Sequence, residues 1–470
     1  MFKSSKVFFR LLFALVFIIN VICFGYADIN WGGATNVSAA TNSIKGVNWA
    51  DPSDNFKTGV LYVSGLSSTD TYSSAATVAD KVISQFMTLT GSNTVRMPIN
   101  EATVSSYWST YTGAIDTALS KGKVILCYWA ASGGAPANMT NYWSMWNTVT
   151  SKYGSNSNCY FEPMNEPYGY TAANLCTLYE TWVSTYSSIT KSRIILDGSG
   201  YAENLSTVGA DTNLSSCLLG VHDYAYWTSY STEGGWQNDL ATRVGSYSSR
   251  VVMTEWGAPM TTGVNYNQTS SANEVCYIRG ISNQLRAWSA GSCYWPGLRD
   301  GDSYSLTTKT GSGSGITLTL NNTSGLDRLK YAWGDENIKI KNAATSMYLD
   351  GYGYTTDGTN AMQYASSSST NQQWVIEGTG STYVRIKNIA TGLYLDGLGY
   401  TTNGSVAGQW SGTSSYNQQW TQEISGNYVM FKNRNTGLYL DGLGYTTNGS
   451  VCGQWSGTSN SNQKWSILVP

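Results

Sequence analysis

Charge is what this sequence has least of. Only 12% of its 470 residues are Asp, Glu, Lys or Arg, against roughly 25% in an ordinary globular domain. The 27 basic and 29 acidic residues leave a net charge of −2, so there is no positive excess to neutralise a phosphate backbone or an anionic membrane. That makes nucleic acid a poor partner. Histidine occurs once, as His222, and no Cys-x-x-Cys pair occurs, which removes His-rich and Cys-rich metal sites. No metal or cofactor is therefore expected, and the chemistry falls to carboxylates and hydroxyls. Beyond residue 27 no stretch is long and apolar enough to cross a bilayer.

Aromatic residues are what is abundant: 18 Trp, 34 Tyr and 10 Phe. So many rings argue against disorder, and the surface must be solvated by neutral Ser, Thr, Asn, Gly and Tyr. At the N-terminus, Lys3, Lys6 and Arg10 precede an apolar run at 11–24 and the small-residue end Gly25-Tyr26-Ala27. The run is shorter than the roughly 20 residues of a membrane span, which favours a cleaved secretory signal at 1–27 over an anchor. A secreted, extracellular monomer is expected, with a polar lead-in at 28–43. Removing Cys23 leaves seven cysteines, an odd number, whose pairing spacing alone does not give.

Two regions differ in period. In the last third, Tyr-Leu-Asp-Gly occurs at Asp350, Asp396 and Asp441, with a closing Gln-x-Trp at Trp374, Trp420 and Trp465. Three copies at one period signal threefold pseudosymmetry, and short β-type runs with Gly/Asn/Thr turns make the unit all-β. Upstream, eight apolar strand signals (44–49, 94–99, 123–129, 159–163, 193–196, 218–222, 250–255 and 291–295) alternate with helical periodicity at 78–89, 114–121, 142–153, 175–189, 236–247 and 273–290. The fold class expected is α/β, a (β/α)8 barrel over 44–334 with a terminal β extension, followed by the all-β domain over 335–470. A doubly wound sheet is the alternative, but no phosphate-binding glycine fingerprint supports it.

In such a barrel the strand C-termini converge on one mouth. Strand two ends at Arg96, strand four at Asn165-Glu166-Pro167, strand six at His222 and Tyr224, strand seven at Glu255, and strand eight at Trp295. Glycoside cleavage needs two carboxyls facing each other across the scissile bond, and barrel closure brings Glu166 and Glu255 opposite one another. Arg96 beside Glu255 favours its ionised form, and a less charged surround favours a proton on Glu166. Tyr224 can bond the same carboxylate, Asn165 offers an amide to a sugar hydroxyl, and His222 positions substrate or tunes the carboxylates. Of the strand-end rings Trp49, Trp129, Trp227, Trp256 and Trp295, about half are expected in the core, and Trp295 and Trp129 are the sugar-stacking candidates.

Over about 44–300 these residues resemble glycoside hydrolase family 5, a group of retaining (β/α)8 enzymes that includes cellulases and mannanases. The resemblance implies Glu166 as general acid/base, Glu255 as nucleophile with Arg96 and Tyr224 bonded to it, Asn165 on the 2-hydroxyl, and Trp295 as the floor under the sugar at the cleavage point. One departure is at strand three, where many members carry histidine and this chain has Leu126-Cys127-Tyr128-Trp129; it bears on sugar specificity.

Each repeat also carries, at fixed offsets from its Asp, a Gln (Gln363, Gln409, Gln454), a ring (Tyr364, Trp410, Trp455) and an Asn (Asn371, Asn417, Asn462). With Gln-x-Trp, this resembles the ricin B-type β-trefoil of carbohydrate-binding module family 13 over 335–470. The resemblance makes Trp374, Trp420 and Trp465 structural. The sugar-binding candidates are Asp350, Tyr364 and Asn371, then Asp396, Trp410 and Asn417, then Asp441, Trp455 and Asn462, with the first site the weakest. The expected function is a glycosidase cleaving a β-linked polysaccharide, endo-β-1,4-glucanase-like, held to glycan by its trefoil. Mannan, xylan or galactan are alternative substrates. A lectin with a catalytically dead barrel is the alternative from another class.

Overall fold

The computed structural model describes residues 43–54, 57–130, 133–379 and 383–469. The expected signal segment, with Cys23, and the lead-in up to residue 42 lie outside them. Eight parallel strands, β1 (Lys45–Trp49), β2 (Thr94–Ile99), β3 (Lys123–Tyr128), β4 (Cys159–Glu162), β5 (Ile195–Asp197), β6 (Leu218–Asp223), β7 (Val251–Trp256) and β8 (Gly291–Leu298), pair in the order β4-β3-β2-β1-β8-β7-β6-β5. A parallel bridge between Phe161 and Ile194 closes the ring. Pairing of β1 with β8 is what a doubly wound sheet lacks.

Between the strands run α1 (Tyr72–Thr90), α2 (Trp108–Lys121), α3 (Met139–Tyr153), α4 (Ala172–Thr185), α5 (Glu233–Val244) and α6 (Asn273–Trp288). Several start earlier than apolar spacing alone indicates, because polar caps set their ends. In α1 the Thr71 hydroxyl accepts the Ser74 N–H while the Ser74 hydroxyl accepts the Thr71 N–H, a reciprocal capping box. The face Ala75, Val78, Ala79, Val82, Ile83 and Phe86 is then buried against the barrel.

Strand alternation builds the barrel interior in layers. The lower layer is apolar: Ile44, Ile125, Tyr160, Ile195, Leu218, Val252 and Cys293. Two residues further along several of the same strands stand Cys127, Glu162 and Asp197, and the Arg96 side chain joins Asn48 to Glu162, all of them buried. The floor is greasy and the mouth is polar.

A hairpin, β9 (Thr307–Thr310) with β10 (Thr317–Leu320), and α7 (Thr323–Ala332) follow β8. The strands from Lys339 to Leu468 are antiparallel and repeat three times. Trp374, Trp420 and Trp465 are fully buried, and each indole N–H donates to a carbonyl 25 residues back in its own repeat, Leu349, Leu395 and Leu440. The barrel and the trefoil are docked through charged side chains of α6. Arg279 Nη2 donates to the Ile467 carbonyl at 3.1 Å and Arg286 Nη2 to the Ile376 carbonyl at 3.0 Å. The seven described cysteines are all buried and unpaired, so packing, not cross-linking, holds both regions.

Candidate active site

The polar mouth opens into a cleft of about 380 Å³ lined by Asn165, Glu166, His222, Tyr224, Glu255, Trp129 and Trp295. All eight barrel residues singled out by sequence thus come together, with Arg96 buried just beneath. A shift in register at Val221/His222 sets His222 beside Glu255, leaving Thr254 over as an extra residue of β7. Such a bulge re-aims a side chain, and here it brings Glu255 into the mouth.

Arg96 organises the site. Its Nη1 donates to Glu255 Oε1 at 2.5 Å and to Asn48 Oδ1 at 3.0 Å. Its Nη2 donates to Asn165 Oδ1 at 2.5 Å, and its Nε to Glu162 Oε2 at 2.6 Å. The second oxygen of Glu255 accepts the Tyr224 hydroxyl at 3.0 Å, so the carboxylate is clamped at both ends. His222 stands between the two glutamates: Nδ1 is 3.0 Å from Glu166 Oε1 and 3.7 Å from Glu255 Oε2, and Nε2 is 3.0 Å from Thr254 Oγ1. One side-chain atom each of Glu166, His222 and Glu255 lies within 4.8 Å of the others. Of the two carboxylates only Glu255 touches Arg96; the ion-pair candidate beside Glu166 is His222.

Burial pushes Glu166 up to about 7, Arg96 pulling against it and Glu203 and Glu162 adding to it. Glu255 is also raised by burial, against the downward pull of His222 and Arg96. The expected Arg96 contact is therefore present, but desolvation outweighs it. His222 is pushed down to about 4 by burial, so at neutral pH it is an uncharged imidazole. With a proton on Glu166, its consistent tautomer accepts at Nδ1 and donates from Nε2 to Thr254.

The five strand-end rings divide between core and cleft. Trp49 and Trp256 are fully buried, and Trp129 is only 8% exposed. Trp129 stacks behind Trp295 at 5.3 Å between centroids and 20° between planes. It stiffens the platform and offers little face of its own. Trp227, a strand-end ring not chosen as a stacking candidate, is 90% exposed at the rim of the same cleft. Sequence passed over Glu162, Asp197, Asn48 and Thr254. The signal for Glu162 and Asp197 was present in the period of two: each lies two residues beyond an inward apolar residue, Tyr160 and Ile195.

In the trefoil, Asp350, Asp396 and Asp441 are buried, and each accepts the N–H two residues on at 2.7 Å. Trp410 and Trp455 are exposed, while Tyr364 is half-buried against Tyr352. Asn417 Oδ1 and Asn462 Oδ1 are buried without a protein partner; Asn371 is half-buried in the corresponding place. The Gln of the polar set is structural: Gln363, Gln409 and Gln454 are fully buried and donate to the carbonyls of Gly442, Gly351 and Gly397 in the neighbouring repeat. Those three bonds run head to tail around the pseudo-threefold axis. An exposed ring four residues after each Asp, Tyr354, Tyr400 and Tyr445, escaped the sequence reading although the repeat carries it.

A closed parallel barrel with two facing glutamates at its mouth, joined to a threefold Gln-x-Trp domain, defines a glycosidase with a carbohydrate-binding trefoil. The family model for the cellulases of glycosyl hydrolase family 5 matches residues 54–295, and the chain belongs to that family. A ricin-type β-trefoil lectin domain-like model matches 328–410 and 416–470. No curated protein matches the chain. Among solved structures, XacCel5A in complex with cellopentaose is similar at 15% identity and a TM-score of 0.42, over 62% of this chain and 99% of that one. The designed threefold-symmetric protein ThreeFoil matches at 28% identity and a TM-score of 0.28, over 28% of this chain and 99% of that one. An exo-β-1,3-galactanase from Clostridium thermocellum matches at 24% identity and a TM-score of 0.28, over 34% of this chain and 33% of that one. No helix among the described residues is long and apolar enough to cross a membrane.

Proposed function

We propose that the protein is a secreted retaining endo-β-glycanase acting on a β-1,4-glucan, with Glu255 as nucleophile and Glu166 as general acid/base. The observation that carries this reading is the approach of the two carboxyls to within 4.8 Å around His222. Retention goes with carboxyls about 5–5.5 Å apart, whereas inversion needs a wider gap for water. Glu255 attacks the anomeric carbon as the glycosidic bond breaks, and the leaving oxygen takes the proton of Glu166. Arg96 and Tyr224 fix the line of attack. Once Glu255 is esterified its negative charge is gone, so Glu166 more readily stays ionised. It then deprotonates a water that releases the sugar and regenerates Glu255.

Asn165 lines the cleft with its oxygen already taken by Arg96, which leaves its NH₂ for a substrate hydroxyl. Trp295, backed by Trp129, supplies the stacking floor, and the exposed Trp227 suits a chain longer than one sugar. In the trefoil, Asp350, Asp396 and Asp441, the rings at 364, 410 and 455, and Asn371, Asn417 and Asn462 are the glycan contacts, and several weak sites gain effective concentration on a polymer.

The experiment is hydrolysis of a panel of β-1,4-glucan, mannan, xylan and galactan, with products sized and their first-formed anomer read by proton NMR. Internal cleavage of the glucan with retained configuration is expected. An inverted product removes Glu255 as nucleophile, and preference for another polymer replaces the substrate. With Glu166 as the acid, kcat/KM should fall as pH rises past about 7.

A further inference from the structure

Two buried carboxyls beneath the catalytic pair have no part in the displacement just described. Glu162 ends β4 and Asp197 ends β5, and both are fully buried. Arg96 takes both oxygens of Glu162, at 2.6 Å and 3.1 Å. Asp197 has no lysine or arginine partner among the described residues; its nearest cationic candidate is His222 Nε2 at 3.8 Å, which is neutral. Asp197 Oδ2 instead accepts the backbone N–H of Glu166 at 3.1 Å. Its Oδ1 is buried with no donor aimed at it, and a Cβ on Gly220 would stand 2.0 Å from that oxygen. Only glycine at 220 leaves the carboxyl room to sit there.

The residue held by that N–H bond is strained. Glu166 has φ of 45°, a left-handed conformation that costs a residue with a side chain about 1 kcal/mol or more. Something must over-determine the turn, and the Asp197 bond is in place to do so. The charge balance says in which form. One permanent cation, Arg96, faces four carboxyls, Glu162, Glu166, Asp197 and Glu255, with a neutral His222 among them. Glu162 and Glu255 touch that cation, and the other two are left to hold protons, since an unpaired buried carboxylate is far costlier than a buried acid.

We propose that Asp197 is a positioning residue that works as a neutral acid: it shares its proton with Glu162 and, through Oδ2, fixes the strained turn that aims Glu166 at the leaving group. This rests on Glu166 being the acid/base. Burial and then the neighbouring Glu162 push Asp197 well above the usual carboxylate range. For Glu162 burial also works upward, but Arg96 outweighs it and the group stays ionised. The pair is thus one proton acceptor and one proton donor, and the negative charge stays on the side of Arg96.

The first test needs no activity. In a Glu166→Gln background at pH 7, the infrared difference between Asp197 and Asp197→Asn should contain a deuterium-sensitive carbonyl stretch of a protonated carboxylic acid. A carboxylate band in its place overturns the proposal. The second is kinetic. Asp197→Asn keeps a neutral group of the same shape that can donate to Glu162 and accept from Glu166, so kcat should stay within about threefold and the alkaline limb should not move. Asp197→Ala should lower kcat roughly tenfold or more with KM little changed, and the loss should shrink on aryl glycosides whose leaving groups need no proton. An Asn variant as damaged as Ala, or an undamaged Ala variant, overturns the proposal. If the unmodified enzyme cleaves no glycan, the catalytic reading fails while the infrared result stands on its own.

Discussion

In the barrel, Arg96, Glu162, Asp197, His222 and Glu255 are each at most 3% exposed and lie together at the mouth, so a charged cluster is buried there. In the trefoil the buried polar side chains are mostly amides. Gln363, Gln409 and Gln454 bond the next repeat's backbone, and Asn342, Asn388 and Asn433 each hold the carbonyl of a +21 Asn at 2.7 Å. The trefoil spreads neutral hydrogen bonds over three equivalent positions and keeps its rings outside. The barrel spends stability on one asymmetric cluster. The difference is what distinguishes a site that must move protons from one that need only hold a sugar.

The largest effect should separate the two regions cleanly. Glu255→Ala is expected to lower kcat on the order of 10⁴-fold or more, as removal of a catalytic group that acts in concert with others does. Its retention on insoluble glycan should match the unmodified protein, because no trefoil residue contacts Glu255. A variant that lost binding in parallel with turnover would mean that the barrel alone grips the polymer.

Next in size is the cost of breaking the charged cluster. Arg96→Met leaves Glu162 and Glu255 buried without their cation, and the expected loss is about 3–5 kcal/mol of stability. The matched change in the trefoil is Arg385→Ala. Arg385 lies 3.8 Å over the Tyr394 ring and is partly exposed, so about 1 kcal/mol or less should go. Denaturant unfolding of both variants measures the contrast, and equal losses would erase it.

How much of this the sequence carried follows the same division. The barrel and its candidate catalytic ends were legible because apolar strand runs alternating with helical periodicity, and strand-end carboxylates at 166 and 255, are local patterns. Asp197 was not, since its partner Glu162 and its beneficiary Glu166 lie on another strand, and only barrel closure joins them. The repeat made the trefoil legible as a fold, yet it could not say which of the repeated side chains face out. Gln409 and Trp410 are neighbours with the same periodicity, and the pleat buries one and exposes the other. How much of each ring faces the cleft was not legible either: Trp129 is covered by its stack on Trp295, while Trp227 stands open at the rim.

Holding a protonated acid in the cleft should itself cost stability. The folded pKa of Glu166 is about 7, above an unfolded value of about 4.3. Between those values the folded state binds more protons than the unfolded state, so this group's contribution to stability falls as pH rises through that window. Glu166→Gln should therefore be no more stable than the unmodified protein near pH 4 and more stable by about 1–3 kcal/mol above pH 7. Thermal unfolding at several pH values tests it, and a gain independent of pH would mean that a changed hydrogen bond, not the titration, is responsible. No comparable gain is expected from any change in the trefoil.

The smallest expected effects decide which trefoil residues bind and which hold. Gln409 donates to the carbonyls of Gly351 and Asn360, so Gln409→Ala strands two buried acceptors and should cost about 1–3 kcal/mol of stability. Trp410 is 41% exposed, so Trp410→Ala should leave stability within about 0.5 kcal/mol while weakening glycan retention. With three tethered sites the lost ring removes one of several attachments, and retention on polymer should fall more than affinity for a free oligosaccharide at the remaining sites. If Gln409→Ala instead weakens retention with no loss of stability, the buried amide is a ligand contact and the inward/outward division drawn between the two neighbours is wrong. Combining Trp410→Ala with Trp455→Ala takes the argument to its end, because only the half-buried Tyr364 ring is then left in the set. Retention that survives the double change must come from Tyr364, from the barrel cleft, or from Tyr354, Tyr400 and Tyr445, the exposed rings beside each Asp turn, and adding Tyr364→Ala separates the first of these from the rest.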